Sequence, residues 1–413
     1  RMYGTQVMER LLDAAARELK MDAVEIRRKN LIQPDQFPYK TGIIGQDFVE
    51  NVLDSGNYPA VLDKTIEMIG YEKFLTDEQP KLRAAGKKVG IGVVTFTEGT
   101  AVGPYEGARV TVGGGGKAAV STGISTQGQA HFTTFAQMVA EQLGLKVEDV
   151  NVITGDTGDF HWGAGTFASR GITVAGNAVH AAAVKVRNKA LALASKMLET
   201  PVDGLELAEG TVRVAAAPEK SIPLGELAMR ANPMRGTIEP GVEPGLEATA
   251  YYGPPHGATG SGAVAMIVEV DDETALVEIK RYVIVHDCGN VVNPMVVDGQ
   301  IHGGVSMGIG NAFYERLIYD ENGQLLTASL MDYLIPKVSD MPPRMELGHV
   351  TTPSPLNPLG LKGVGEAGTI PTPACFYQAV ENALVEYNIE VLDAPLSPDA
   401  LFRLISAARG SVG

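Results

Sequence analysis

Residues 360–373, GLKGVGEAGTIPTP, carry a single carboxylate, Glu366, on a backbone of glycines, one lysine and two prolines. The ten residues on either side of it hold no other acid. Taken alone, a glutamate so placed reads as a solubilising loop residue about as readily as a functional one. Three further segments share its glycine-rich, polar character: STQGQAHFTTFAQ (125–137), GAGTFASRGITVAGNA (163–178) and HDCGNVVNPMVVDGQIHGG (286–304). Together with LNPLGLKGVGEAG (356–368), each sets small and hydrogen-bonding residues just before a predicted helix. Backbone N–H groups and the positive helix end then face outward, which suits an anion. Four such segments in one chain point to a large, polar, phosphate-bearing cofactor. None is a Walker A loop or a G-x-G-x-x-G behind a strand, so a purine nucleotide is not the obvious ligand.

Plainer readings stand beside these. His131 at a helix start is also a cap partner, and Asp287 and Asn293 are also turn residues around Gly289 and Pro294. Arg170 is equally a surface ion pair. Trp162, the only tryptophan, reads as packing, and Cys288 as a small buried residue with no activating base near it in sequence.

The elements that must position these residues follow from periodicity. Val7, Met8, Leu11, Leu12, Ala15 and Leu19 form one stripe of an amphipathic helix at the start of the chain. DAVE (22–25) reads as a capping box opening a second helix, and a third spans about 59–69. The polar stretch 76–88 reads as a linker between the remainder of one domain (1–75) and a second (89–413). Beyond it come strands in VGIGVVTFTE and GARVTVGGGGKAAVSTGIS, with Gly113–Gly116 as a hairpin turn. Helices are expected over 131–145, 175–198, 296–315 and 372–387, a strand over 150–154, and hairpins over 205–215 and 263–286. Paired strands mixed with helices indicate an α+β fold of mixed sheets with packed helices.

Bulk properties narrow the function. The chain has 413 residues and a formal net charge of −15, unsuited to nucleic acid or an anionic membrane surface. Two cysteines, Cys288 and Cys375, make neither a disulfide framework nor a thiolate metal site, and fit a reducing, cytoplasmic setting. No apolar run approaches the roughly 20 residues of a membrane span.

KGVGEAGTIPTPA, QGQAHFTTFAQ, GTFASR and GNVVNPMVVDGQIHGG, in this chain order, resemble the molybdenum-binding large subunit of the xanthine oxidase family, the molybdenum hydroxylases. The branch with carbon monoxide dehydrogenase large subunits and bacterial aldehyde and N-heterocycle dehydrogenases is the most similar. The family's QGQGHxTxxAQ departs here only at Ala130, where glycine is usual. RMYGTQVMERLLDAAARELKM resembles the stretch after the family's R-G-[AF]-G loop, so the chain is expected to be the C-terminal part of the subunit. Its upstream half would lie in the same or a separate chain.

The resemblance implies that Glu366 is the general base beside the molybdenum, with Lys362, Gly363, Val364 and Gly365 forming its loop. It places Gln127, Gly128, Gln129, His131 and Thr133 along the pterin and phosphate, and Ala168, Ser169 and Arg170 along the pyrophosphate. Asp287 and Asn293 fall at the cytosine end of molybdopterin cytosine dinucleotide. The metal would be held through the pterin dithiolene, with no protein ligand. The implied reaction is hydroxylation of an electron-poor C–H carbon with water as oxygen source. Electrons would leave through an iron–sulfur small subunit with [2Fe-2S] clusters and an FAD medium subunit. Phe96, Glu98 and Tyr105 fall where the family lines its substrate funnel. Carbon monoxide as substrate, a non-catalytic scaffold subunit and a metal-free phosphate-binding enzyme remain rival readings.

Overall fold

A computed structural model describes residues 1–45, 48–232 and 242–411. The chain begins with α1 (Met2–Leu19) and α2 (Ala23–Asn30). The Asp22 carboxylate caps α2 by accepting from the N–H groups of Val24 and Glu25. A small hairpin, β1 (Tyr39–Ile44) and β2 (Glu50–Leu53), precedes α3 (Tyr58–Ile69). Next, α4 (Tyr71–Lys73) runs through a π turn into α5 (Gln79–Ala84). The stretch expected to be a polar linker is therefore largely helical. Gln79 is buried there and donates to the Val89 carbonyl and to Asn382, which ties the segment to the body of the protein.

Two four-stranded sheets carry the rest. The first is built from β4 (Glu106–Val112), β5 (Ala118–Thr122), β6 (Val150–Thr154) and β10 (Glu247–Tyr252), in the order β10-β4-β5-β6. The helices α6 (His131–Leu143) and α7 (Gly176–Leu198) cover it, burying Val110, Val120, Phe135, Val139, Ala178 and Ala182 in one core. A short sheet of β7 (Leu205–Ala208), β8 (Thr211–Val214) and β9 (Ala217–Pro223), followed by α8 (Leu224–Arg230), flanks it.

The second large sheet has the order β13-β12-β11-β3. Its strands are β3 (Lys88–Thr100), β11 (Ala258–Asp271), β12 (Leu276–Asp287) and β13 (Met345–His349). Strand β11 is buried on both faces, which is why it reads as a near-continuous apolar run. Ala263 and Ala265 face α3, whereas Val264 and Met266 face the core made by α9 (Pro294–Ile309) and α10 (Thr372–Ala383). Helix α10 lies so close to β3 that a Cβ on Gly92 would sit 2.3 Å from the Cys375 carbonyl oxygen. The last helix is α11 (Pro398–Ser411). The architecture is α+β, as expected, but with parallel pairs inside the mixed sheets. Strand β5 pairs in parallel with β6, and β12 with β13. Each of these four strands leads by a loop into a helix: β5 to α6, β6 to α7, β12 to α9 and β13 to α10.

The apolar stripe of α1 does not face this core. Val7, Met8, Leu11 and Leu19 are exposed, while Glu9, Asp13 and Ala16 are buried. The buried acids surround Arg27, whose guanidinium donates to Glu9 at 2.6 Å and to Asp13 at 2.7 Å. A helix can turn a polar face inward when each buried charge has a partner there.

Candidate active site

All four glycine-rich segments lie at the carboxyl ends of the four paired parallel strands, where ligands collect in open α/β sheets. They converge on a cavity of about 440 Å³ lined by residues of all four, among them Gln129, His131, Ser169, Asn293, Gly363 and Glu366. Backbone shape makes this possible. Ala130 opens α6 with φ of 59°, in the left-handed region that the usual glycine would adopt without strain. Ala168 and Ser169 follow suit with φ of 51° and 53°. Non-glycine residues held there cost about 1–3 kcal/mol each, and such strain gathers at sites.

The Ser169 turn and the Glu366 loop interlock. A Cβ on Gly363 would lie 1.9 Å from the Ser169 carbonyl oxygen. Gly363→Ala should accordingly dislodge Glu366, and a crystal structure of the variant with both loops unmoved would refute that reading. The Glu366 N–H donates to Ser169 Oγ at 3.1 Å, and that hydroxyl donates to Glu366 Oε2 at 3.4 Å. The Gly363 N–H donates to Thr100 Oγ1 at 3.0 Å, anchoring the loop to β3.

Glu366 is not isolated, as its sequence neighbourhood suggested. Arg1 Nη1 donates to Glu366 Oε2 at 2.8 Å and to Glu98 Oε1 at 2.6 Å. The Glu366 side chain is 38% exposed and that of Glu98 1%, so an open carboxylate stands beside a closed one. Burial pushes the Glu98 carboxyl up to about 8; hydrogen bonding and charge from Glu366 add to the rise, whereas Ser169 and Arg1 oppose it. Phe96 and Glu98 line a second cavity of about 660 Å³, with Arg1, Met8, Leu31 and Tyr58. Tyr105 does not line it; its ring stacks on Trp162 at 5.1 Å, and both rings are partly exposed.

Other expected site residues divide into those that face the first cavity and those that build its walls. Gln127 and Gln129 face it and bond to each other through side chain and backbone. His131 is buried, stacked on Phe135, and its Nδ1 has no hydrogen-bond partner. Burial lowers its pKa to about 4, so the ring is neutral at neutral pH. Thr133 is exposed and does not line the cavity; Thr134, one residue on, does. Asn293 lines it while capping α9: its Oδ1 accepts from the Val296 N–H, and its Nδ2 donates to Gln137.

Three charged residues have their charges paired inside the protein. Arg170 is buried and lines the first cavity. Its guanidinium donates to Glu106 and to the carbonyls of Val102, Pro104 and Gly165, which fastens the loop that carries Ser169. Asp287 accepts from the N–H groups of Gly289 and Thr352 and pairs with Lys362 at 3.2 Å, with both side chains fully buried. Most of their donors or acceptors are used internally, which residue type alone does not reveal. Among the described residues, no group of three or more His, Cys, Asp and Glu is placed to hold a metal ion, and no helix is long and apolar enough to cross a membrane.

Comparison with known proteins gives this geometry a family. Residues 64–342 match the molybdopterin cofactor-binding domain model. The chain is 34% identical over 404 residues to the carbon monoxide dehydrogenase large chain of Afipia carboxidovorans, covering 94% of this chain and 49% of that one. It is also 34% identical over 412 residues to the nicotine 6-hydroxylase large subunit of Paenarthrobacter nicotinovorans, covering 97% and 49%. Quinoline 2-oxidoreductase from Pseudomonas putida 86 superposes with a TM-score of 0.87 at 36% identity, covering 98% of this chain and 52% of that one. The chain thus spans about half the length of the curated relatives it matches. It belongs to the molybdopterin cofactor-binding family, as a molybdopterin-binding part of a xanthine oxidase family large subunit.

Proposed function

We propose that this chain is the C-terminal, catalytic part of a molybdenum hydroxylase large subunit that oxidises an N-heteroaromatic or aldehyde carbon with water as oxygen source. The observation that carries the reading is the Glu366 carboxylate, held open to a cavity that four strand-to-helix loops enclose. That cavity fits the family's cofactor. Gly363 removes the side chain that would otherwise block the close approach of two loops, and buried His131 Nδ1 is a polar atom in need of a partner. Gln127, Gly128 and Gln129, the backbone of 168–170, and Asn293 with Val296 at the start of α9 would hold the pterin, its phosphates and a cytosine nucleotide end. When bound, the cofactor supplies a two-electron acceptor for the substrate carbon.

The chain's own residues do the proton work. Glu366 accepts a proton at Oε1 or Oε2 as the new C–O bond forms. Ser169 and Arg1 fix its carboxylate, and Arg1 offsets its charge. The neighbouring cavity of about 660 Å³, walled by Phe96, Tyr58 and Leu31, suits a ring better than a diatomic gas. The name of one relative ties it to nicotine and that of a solved structure to quinoline, both N-heteroaromatic. Both cysteines of this chain are buried, free and in the core of the second sheet, so onward electron transfer falls to partners carrying [2Fe-2S] clusters and FAD. The upstream half of the subunit would cover Val7, Met8 and Leu11 of α1.

The test is to purify the chain with its upstream half and with partner subunits. Molybdenum, a cytosine nucleotide released by acid hydrolysis, and heavy oxygen from labelled water in a hydroxylated N-heterocycle or aldehyde are the expected results. Oxidation of carbon monoxide alone would give the activity to that branch, and a metal-free preparation that turns over substrate would end the molybdenum reading. Without the upstream half, the chain should associate and hold little molybdenum. A monomeric, molybdenum-replete preparation would refute that half's role.

A further inference from the structure

Strand β3 brings three residues of one face to the Glu366 loop. Phe96 packs on Ala367 and Ile370, Thr100 accepts from the Gly363 N–H, and Glu98, midway between them, points at the Glu366 carboxylate. A strand face that otherwise buries uncharged residues has spent one position on an acid. Among the described residues, its one ion pair is with the Arg1 guanidinium that it shares with Glu366. Across the sheet Glu98 pairs with Gly260 of β11, which brings no charge. From α1, Glu9 is committed to Arg27 and Thr95. From the loop before α7 comes only the Ser169 hydroxyl. Two carboxylates and one guanidinium thus share a site that is closed on one side.

Two negative charges against one positive leave a net charge in a buried position, whereas one proton on the pair makes the cluster neutral. We propose that Glu98 and Glu366 act as one carboxylate pair that holds a single shared proton, with buried Glu98 as its resting seat and exposed Glu366 left ionised to act on substrate. Glu98 is then a positioning residue that keeps Glu366 in its basic form. It also takes over a proton that Glu366 accepts once its own has left. Only a proton moves, between two oxygens and then to solvent through the open side of Glu366. This rests on the function proposed above, but the pair exists in the resting protein and is testable without turnover.

The sign of the stability effect follows from burial. The folded protein holds the Glu98 proton up to about 8, whereas the unfolded chain releases it at an ordinary glutamate value near 4.5. Between these values the folded state binds more protons, so stability falls as pH rises. In the assembled holoenzyme, Glu98→Gln should remove that fall from the pH dependence of thermal unfolding. It should also remove the inflection near 8 that Glu98 puts into the kcat/KM profile. At neutral pH kcat should drop roughly tenfold with KM little changed, short of the roughly 10²- to 10⁴-fold of a general base itself. Glu366→Gln, which removes the carboxylate that helps raise Glu98, should narrow the pH window over which stability falls, and this second variant serves if Glu98→Gln does not fold. An unchanged unfolding slope in Glu98→Gln overturns the shared proton. Loss of the slope with the kcat/KM profile intact overturns the link to Glu366. Loss of the slope in an enzyme that has no hydroxylase activity even as wild type leaves the pair standing and removes the function proposed above.

Discussion

Glu366→Gln should abolish turnover while leaving the cofactor in place. An amide has nearly the shape of a carboxylate, so Arg1 and the Ser169 hydroxyl can still hold it, and the Glu366 backbone N–H still bonds to Ser169 Oγ. What it cannot do is accept a proton. Loss of a general base costs about 10²- to 10⁴-fold in rate, roughly 3–5 kcal/mol in the barrier. Glutamine keeps the side chain's contacts with Ser169 and Arg1, so molybdenum content should stay close to that of the wild type. Single-turnover rates measured together with metal content decide the matter. Full metal with a near wild-type rate would remove Glu366 from the chemistry. Loss of metal together with rate would make it a cofactor-holding residue instead.

Much of the site was legible because it is local. A glycine-rich run ahead of a helix can be read within some fifteen residues, and all four such runs do meet at one cavity. The long alanine-rich α7, the Gly144 that ends α6 in the left-handed region, and the Gly113–Gly116 turn were also fixed by nearby residues. What escaped depends on contacts distant in sequence. The parallel pairing of β5 with β6 leaves no local trace, because a parallel ladder needs a crossover, and here that crossover contains α6. Helix α1 carries a clear apolar stripe, yet its acids are what it buries, because Arg27 arrives from α2 to pair with them. Glu98 was placed near the substrate, and the alternation in VTFTEGT puts it on the same face as Phe96 and Thr100, but not beside a second acid. Its partner Glu366 lies 268 positions away along the chain, and only the fold shows that the two acids meet.

Asp287→Ala should destabilise the protein by about 3–5 kcal/mol, the usual cost of removing one member of a buried ion pair. Folded domains have only about 5–15 kcal/mol in all, so the loss is a large share. The carboxylate holds three partners at once: Lys362 Nζ at 3.2 Å, the Gly289 N–H at 2.9 Å and the Thr352 N–H at 3.1 Å. Alanine leaves the ammonium with only the Ser55 carbonyl, also at 3.2 Å, in a fully buried position. It also frees the turn after β12 from the segment that follows β13. That turn and that segment carry two of the four cavity loops, so cofactor retention should fall as a consequence of lost stability. Asp287→Ala combined with Lys362→Met should recover part of the loss, since the stranded charge goes with its partner. The Asn293→Ala variant gives the contrast: an N-cap lost at about 1 kcal/mol, with its effect concentrated on the cavity that Asn293 lines. Denaturant unfolding of each variant, with and without cofactor, separates the two roles. If Asp287 instead gripped a nucleotide directly, Asp287→Ala would match the wild type in stability when cofactor-free and differ only when loaded. The buried pair with Lys362 requires the full deficit in the cofactor-free protein as well.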